Sequence, residues 1–271
     1  ATGVFGACPP VVSDNCGTVT ITQSPAAGTL LGVGNHTITI YATDAANNVA
    51  SCTHVISVVD HQMPTIACTS NITVNNDAGI CGAVVNYTAP LGVDNCASTT
   101  IQTSGLASGS TFPIGVTINK FMVTDASGNK DSCSFTVTVN DTQTPSISCP
   151  SPIVASNENN TCGAVVTYAT PVGTDNCSGA STLQTEGLAS GSTFPVGVTM
   201  NKFIVTDASG NKDSCSFTVT VNDTQTPSIS CPSPITVGND NNVCGAVVNF
   251  TAPVGTDNCS GSTTIQTQGL A

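Results

Sequence analysis

The chain repeats itself. The segment NKFMVTDASGNKDSCSFTVTVNDTQTPSISCPSPI begins at Asn119 and returns at Asn201 with one substitution, Met122 to Ile204. The cysteines keep the same step: Cys68 and Cys149 are 81 residues apart, as are Cys81 and Cys162, and Cys133 and Cys215 are 82 apart. A fixed period means one supersecondary unit copied in tandem. A period near 80 is too long for a solenoid turn and suits one small sandwich domain. Function is therefore expected from an array of such units rather than from a single pocket.

Alignment by the cysteines gives four segments. Residues 1–62 form a partial repeat lacking its first strands, 63–143 and 144–225 are complete repeats, and 226–271 form a partial repeat lacking its last strands. Neither partial repeat is expected to close a core of its own, so the chain reads as a window from a longer array. Head-to-tail completion between molecules, in the manner of donor strands, is the other reading. It is disfavoured because both ends carry the stretch equivalent to residues 81–107, so they overlap where they should interlock.

Composition narrows the chemistry. There is no Arg, the only Lys are Lys120, Lys130, Lys202 and Lys212, and the formal net charge is −12. Such a balance argues against nucleic acid or an anionic membrane surface as partner. No apolar run approaches the roughly 20 residues that span a bilayer. Trp is absent and aromatics make up 4% of residues, so each core must rest on Val, Ile and an occasional Phe. A core that thin over about 80 residues calls for covalent staples.

Fourteen cysteines supply them. They recur singly, without the C-x-x-C pairs that close around zinc, and disulfides imply an oxidising, extracellular compartment. Four cysteines per unit allow three pairings. The preferred one joins first strand to last, Cys68–Cys133 and Cys149–Cys215, and pairs the two middle cysteines locally: Cys81–Cys96, Cys162–Cys177, Cys244–Cys259 and, in the first segment, Cys8–Cys16.

Strand signals run throughout. In residues 133–139, Phe135, Val137 and Val139 alternate with Ser134, Thr136 and Thr138, giving one buried and one wet face. Residues 116–124 form a second strand, joined to the first by DASGN at 125–129, whose Asp, Gly and Asn suit a hairpin turn. Residues 83–87 and 99–103 read as further strands, and 72–74 as part of an opening one. The expected fold is all-β: tandem immunoglobulin-like β-sandwich domains in a linear array, with short Pro-terminated linkers such as residues 140–145.

The motifs ISCP at 147–150, CGAVV at 162–166, DNC at 175–177, SGSTFPVG at 190–197 and VTDASGNKDSCSFTVTV at 205–221 resemble the hyalin repeat (HYR). The resemblance covers both complete repeats and the partial ones as far as they go, although the first segment departs from it: there the CGA cysteine is replaced by Cys8 at a shifted position. It implies an immunoglobulin-like extracellular module tied to cell adhesion. Long uniform arrays of this kind are similar to giant bacterial surface adhesins, including gliding-motility adhesins, which implies a bacterial outer surface.

The acidic residues sit at turns. Asp141 in the linker, Asp175 in the DNC turn and Asp207 and Asp213 in the hairpin would lie at one end of a sandwich, with Asp223 and Asp257 as counterparts one repeat on. Oxygen ligands from a linker and two loops could build a calcium site at each junction; the plainer reading is that Asp and Asn are good turn formers, and no contiguous calcium loop is present. No other cofactor is expected. His36, His54 and His61 occur only in the first segment and no motif arranges a nucleophile, so the chain is expected not to be an enzyme. The expected role is a stiff, disulfide-stapled shaft of a surface adhesin or filament, with neighbouring repeats and other copies of the chain as partners. The alternative is an array that grips a glycan or protein weakly at each unit and gains by avidity.

Overall fold

The computed structural model describes residues 12–15 and 17–269. Cys8 and Cys16, and the bond expected between them, lie outside the described residues. Internal contacts divide the chain into two units, residues 1–74 with 84–138 and residues 75–83 with 139–271. The division runs through the second repeat and assigns the loop at 75–83 to the unit that holds the third.

The first segment contributes a three-stranded antiparallel sheet, β1 (Thr20–Ser24), β2 (Gly34–Thr43) and β3 (Val49–Val58), in the order β1-β2-β3. The second repeat supplies β4 (Ile72–Asn75), β5 (Gly82–Val84), β6 (Ser98–Ser104), β7 (Thr111–Pro113), β8 (Gly115–Asp125) and β9 (Lys130–Asn140). The third supplies β10 (Ile153–Ser156), β11 (Gly163–Val166), β12 (Ser181–Glu186), β13 (Ser192–Pro195), β14 (Gly197–Thr206) and β15 (Lys212–Asn222). Both complete repeats build a four-stranded sheet (β4-β9-β8-β6 and β10-β15-β14-β12) and a two-stranded one (β5-β7 and β11-β13). Among the described residues of 226–269 no strand is assigned. The all-β sandwich expectation holds.

One pairing sets the direction of everything else. In the third repeat the opening strand β10 runs parallel to the closing strand β15, with Ile153 opposite Val219 and Ser156 opposite Asn222. The chain therefore enters and leaves this repeat at opposite ends. The turn that follows β10 is left beside the outgoing linker, where the Asn157 amide donates to Asn222 O at 2.9 Å.

Alternation fills the core. On β14 and β15, Phe203, Phe217, Val219 and Val221 point inward and meet Ala164 and Val166 from β11 and Phe194 from β13, and Val205 of β14 is fully buried. Phe203 and Phe217 stack with ring centroids 6.3 Å apart, and Tyr168 stands edge-on to Phe217 at 5.0 Å. Its hydroxyl donates to Leu188 O at 2.6 Å, so this Tyr packs with its polar end satisfied. In the second repeat Tyr87 does the same over Phe121 and Phe135, donating to Leu106 O. Gly173 is dictated by this core, because a Cβ there would meet the Val205 side chain at 2.4 Å.

A fully buried Asn interrupts the apolar face. Asn201 is 0% exposed; its Oδ1 accepts from the Leu188 amide at 2.9 Å and from Gln184 Nε2 at 3.1 Å. Asn119 does the same for Leu106 and Gln102. The side chain pins the loop between β12 and β13 to the sheet, and Gly187, at φ +87, leaves room for it. Replacing Asn201 by Leu strands a buried amide and should destabilise the third repeat by roughly 1–3 kcal/mol. Amide exchange read by mass spectrometry checks this: β12 and β14 should lose protection, and unchanged protection there would count against the role.

Candidate functional site

The chemistry-bearing residues gather where one repeat meets the next, and the boundary between the second and third repeats shows how. The turn after β4 is closed by Asp77 N–Gly82 O and Ile80 N–Asp77 O hydrogen bonds. It lies against the linker and the third repeat. Asn76 Oδ1 accepts from the Thr142 amide at 3.0 Å, Gln143 Oε1 accepts from the Gly79 amide at 2.7 Å, and Asn176 Nδ2 donates to Ile80 O at 3.0 Å. Beside these contacts Cys81 is bonded to Cys177.

The next boundary repeats the arrangement. Asn157 Oδ1 accepts from the Thr224 amide at 3.0 Å, Gln225 Oε1 accepts from the Asn160 amide at 2.9 Å, and Asn258 Nδ2 donates to Thr161 O at 3.0 Å. Cys162 is bonded to Cys259. Two bonds thus link consecutive repeats, over sequence separations of 96 and 97.

This corrects the local pairing. Cys81–Cys96, Cys162–Cys177 and Cys244–Cys259 are not the bonds of the structure; Cys96 and Cys244 are unbonded, as are Cys52 and Cys231. The reason is strand direction. Cys162 lies by Asn258 of the following repeat, whereas Cys177 lies three residues past the Ser146–Thr174 bridge to the incoming linker. Thr161, next to Cys162, meets the following repeat through Asn258, and Asn176, next to Cys177, meets Ile80 of the preceding one, so the two cysteines lie at opposite ends. Cys68 is bonded to Cys133 and Cys149 to Cys215, joining the approach to the opening strand to the closing strand of each repeat.

A hairpin clasp completes the junction. Asp207 Oδ1 accepts from the amides of Ser209 and Asn211, and Asp207 Oδ2 from Asn211 Nδ2 at 2.8 Å. Held this way, Asn211 Nδ2 also donates to Asp141 O and Gln143 O of the linker, both at 3.2 Å. Asp125 and Asn129 make the same clasp on Asp60 O and Gln62 O. Burial of Asp207 opposes its ionisation, but the hydrogen bonds from Asn211, Ser209 and Gly210 outweigh it and lower the carboxyl below its ordinary value; Asp125 is lowered in the same way.

The acidic residues divide into two groups. Asp141 and Asp175 come together with the Cys177 sulfur, and Asp223 and Asp257 with that of Cys259, each set offering ligand atoms within 4.8 Å of one another. Asp207 is occupied in its own hairpin. Asp213 accepts from the Ile147 and Ser214 amides; neither residue belongs to those sets. Asp60, Asp94 and Cys96 form a third set that the sequence reading did not single out, although Asp94 and Cys96 belong to the same DNC motif. Several oxygens here are buried without a hydrogen-bond partner: Asp60 Oδ2, Asp94 Oδ1, Asp175 Oδ1, Asn176 Oδ1 and Asn258 Oδ1. Clustered hard oxygen donors suit a calcium-like cation, whereas a disulfide sulfur does not.

The profile of the HYR domain matches residues 7–58, 59–139 and 140–221. Hyalin of Strongylocentrotus purpuratus is 34% identical over 247 residues, covering 88% of this chain and 20% of that protein. Hyalin of Lytechinus variegatus is 31% identical over 257 residues, covering 92% of this chain and 48% of that protein. The chain thus spans less than half the length of either relative. Among solved structures, a protocadherin gammaB7 EC3-6 cis-dimer aligns at 17% identity over 79% of this chain and 69% of that one, with a TM-score of 0.31, too low to carry an argument.

The clasp has a definite pH dependence. Because Asp125 and Asp207 ionise more readily folded than unfolded, their contribution is present above the unfolded value near ~3.9 and is lost as pH falls through the lower folded value. In a carboxyl-carbon NMR titration both should titrate below the ordinary aspartate range. Titration at the ordinary value would mean that the clasp does not hold them.

Proposed function

The chain belongs to the HYR domain family, and on that premise we propose that it is an extracellular, adhesion-related segment whose repeats serve as a stiff, disulfide-tied shaft. The observation that carries this reading is the bond between consecutive repeats, found twice in the second unit. A spacer needs length and stiffness from each unit and no unique pocket. Near-identical copies, a peptide linker with a second covalent tie beside it, and a buried clasp on the linkers at 60–62 and 141–143 all supply stiffness. Disulfides also place the protein in an oxidising compartment. No enzymatic activity is part of the proposal.

The bacterial outer surface and gliding motility expected from sequence find no support in the relatives named above, which are animal proteins, and the proposal does not include them. Neighbouring repeats are the partners it requires. The strong negative charge disfavours nucleic acid, and among the described residues no helix is long and apolar enough to cross a membrane. The avidity reading would need a recurring ligand patch. Tyr87 and Tyr168 do recur, but they pack into the cores. Val116 and Ile118, with Val198 and Met200 one repeat on, are recurring exposed apolar residues, the kind of strip on which copies could associate into a fibre.

Solution X-ray scattering tests the shaft. The intact chain should give a narrow size distribution, and Cys81→Ser should broaden it. Identical profiles would mean that the inter-repeat bond contributes no stiffness, and saturable binding on a glycan array would favour the avidity reading instead.

A second reading concerns calcium. The buried, unpartnered oxygens of Asp60, Asp94, Asp175 and Asn176 support cation sites in which Asp141 with Asp175, and Asp60 with Asp94, would be the acidic ligands. Isothermal calorimetry of the full chain with calcium chloride should show saturable binding that weakens in Asp141→Ala. Absence of heat at millimolar calcium would leave these aspartates as turn formers.

A further inference from the structure

Two kinds of disulfide recur along the chain, and together they define two covalent routes. One route crosses from Cys81 to Cys177, runs back along the backbone to Cys162, crosses to Cys259 and runs back to Cys244. The other crosses from Cys68 to Cys133, runs forward through the linker to Cys149, crosses to Cys215 and runs forward to Cys231. The routes share no disulfide and no backbone segment. Residues 68–81, 149–162 and 231–244 join them as rungs. Cys244 occupies the position held by Cys81 and Cys162, and Cys96 that held by Cys177 and Cys259.

We propose that the second, third and fourth repeats of this chain form a two-railed covalent ladder, in which tension passes along two independent routes and one broken peptide or disulfide bond on either rail does not sever these repeats from one another. The loop after each opening strand and the DNC turn of the next repeat are thereby a load-bearing crosslink. Either rail lets a repeat yield only about 16 residues of extended chain, against about 82 for a repeat without disulfides, so at roughly 3.4 Å per residue the released length falls about five-fold. The cost of cutting a linker is correspondingly small: the strand-tying rail opens there, and the DNC rail still holds.

This deepens the shaft reading and rests on it for the load, but its test reads connectivity alone. A connectivity failure is therefore distinguishable from a failure of stiffness in scattering. The first measurement uses the unsubstituted chain, with thiols capped, digested by endoproteinase Asp-N without reductant. The ladder requires the peptide 77–93, which holds Cys81, to be bonded to 175–206, which holds Cys177. Finding 77–93 bonded to 94–124, through Cys96, overturns it.

The second measurement places a cut in the linker. Thr142 is exposed, and Thr142→Lys makes the linker cleavable by endoproteinase Lys-C. After denaturing, non-reducing digestion, residues 1–120, 131–142, 143–202 and 213–271 should leave as one disulfide-linked species. Adding Cys81→Ser should split it into two, residues 1–120 with 131–142 and residues 143–202 with 213–271. Two species from Thr142→Lys alone would overturn the ladder.

Discussion

The parallel pairing of β10 with β15 is the constraint on which the junction depends. A repeat whose first strand lay antiparallel to its last would send the chain out at the end where it came in, and the turn after the first strand would face away from the outgoing linker. Parallel pairing puts the exit beside that turn instead. There Asn157 reaches the outgoing linker through Asn222 and Thr224, and Cys162 is delivered to the next repeat rather than to its own Cys177. The disulfide topology is thus a consequence of strand direction, not of distance along the chain.

Around that constraint the junction is assembled from short polar motifs. A side-chain hydrogen bond contributes about 0.5–1.5 kcal/mol net, so the contacts of Asn76, Gln143, Asn176 and Asn211 would by themselves leave a boundary that opens readily. A disulfide closing a loop of about 100 residues is worth up to roughly 4.7 kcal/mol in the chain-entropy account. The hydrogen bonds set the geometry in which Cys81 and Cys177 meet, and the bond makes that geometry permanent. Asp207 acts at one remove: it orders Asn211, and Asn211 holds the linker.

Much of the fold was legible because period-2 alternation is a strong signal where one face is buried. Phe135, Val137 and Val139 were read as inward, and all three are buried; the strands at 116–124 and 99–103 fall within β8 and β6. The short β7 and β13 went unread, since three or four residues around a Phe-Pro carry no period. The junction was read less well, because it depends on which end of a sandwich each turn occupies. Spacing made Cys81 and Cys96 look like neighbours, though the chain between them matches in sequence the one between Cys162 and Cys177, whose two cysteines lie at opposite ends of their repeat. Asp207 looked like a ligand for the same reason that it is a clasp: a carboxylate two and four residues ahead of amide donors satisfies its own turn first. The DNC motif, by contrast, coincides with the acidic sets at residues 94–96, 175–177 and 257–259.

The fourth segment separates what the junction needs from what the sandwich needs. No strand is assigned among its described residues, and Val247, Phe250 and Val254 lie exposed. Yet its Ser228–Thr256 bridge, its Asp257–Cys259 turn and the Asn258 contact to Thr161 are all in place, as is the bond to Cys162. Its loop near Cys244 closes through Asp240 N–Gly245 O and Val243 N–Asp240 O, just as the loop near Cys81 does. The contacts of the junction are therefore supplied by a linker, a DNC turn and one Asx-rich loop, all short local motifs.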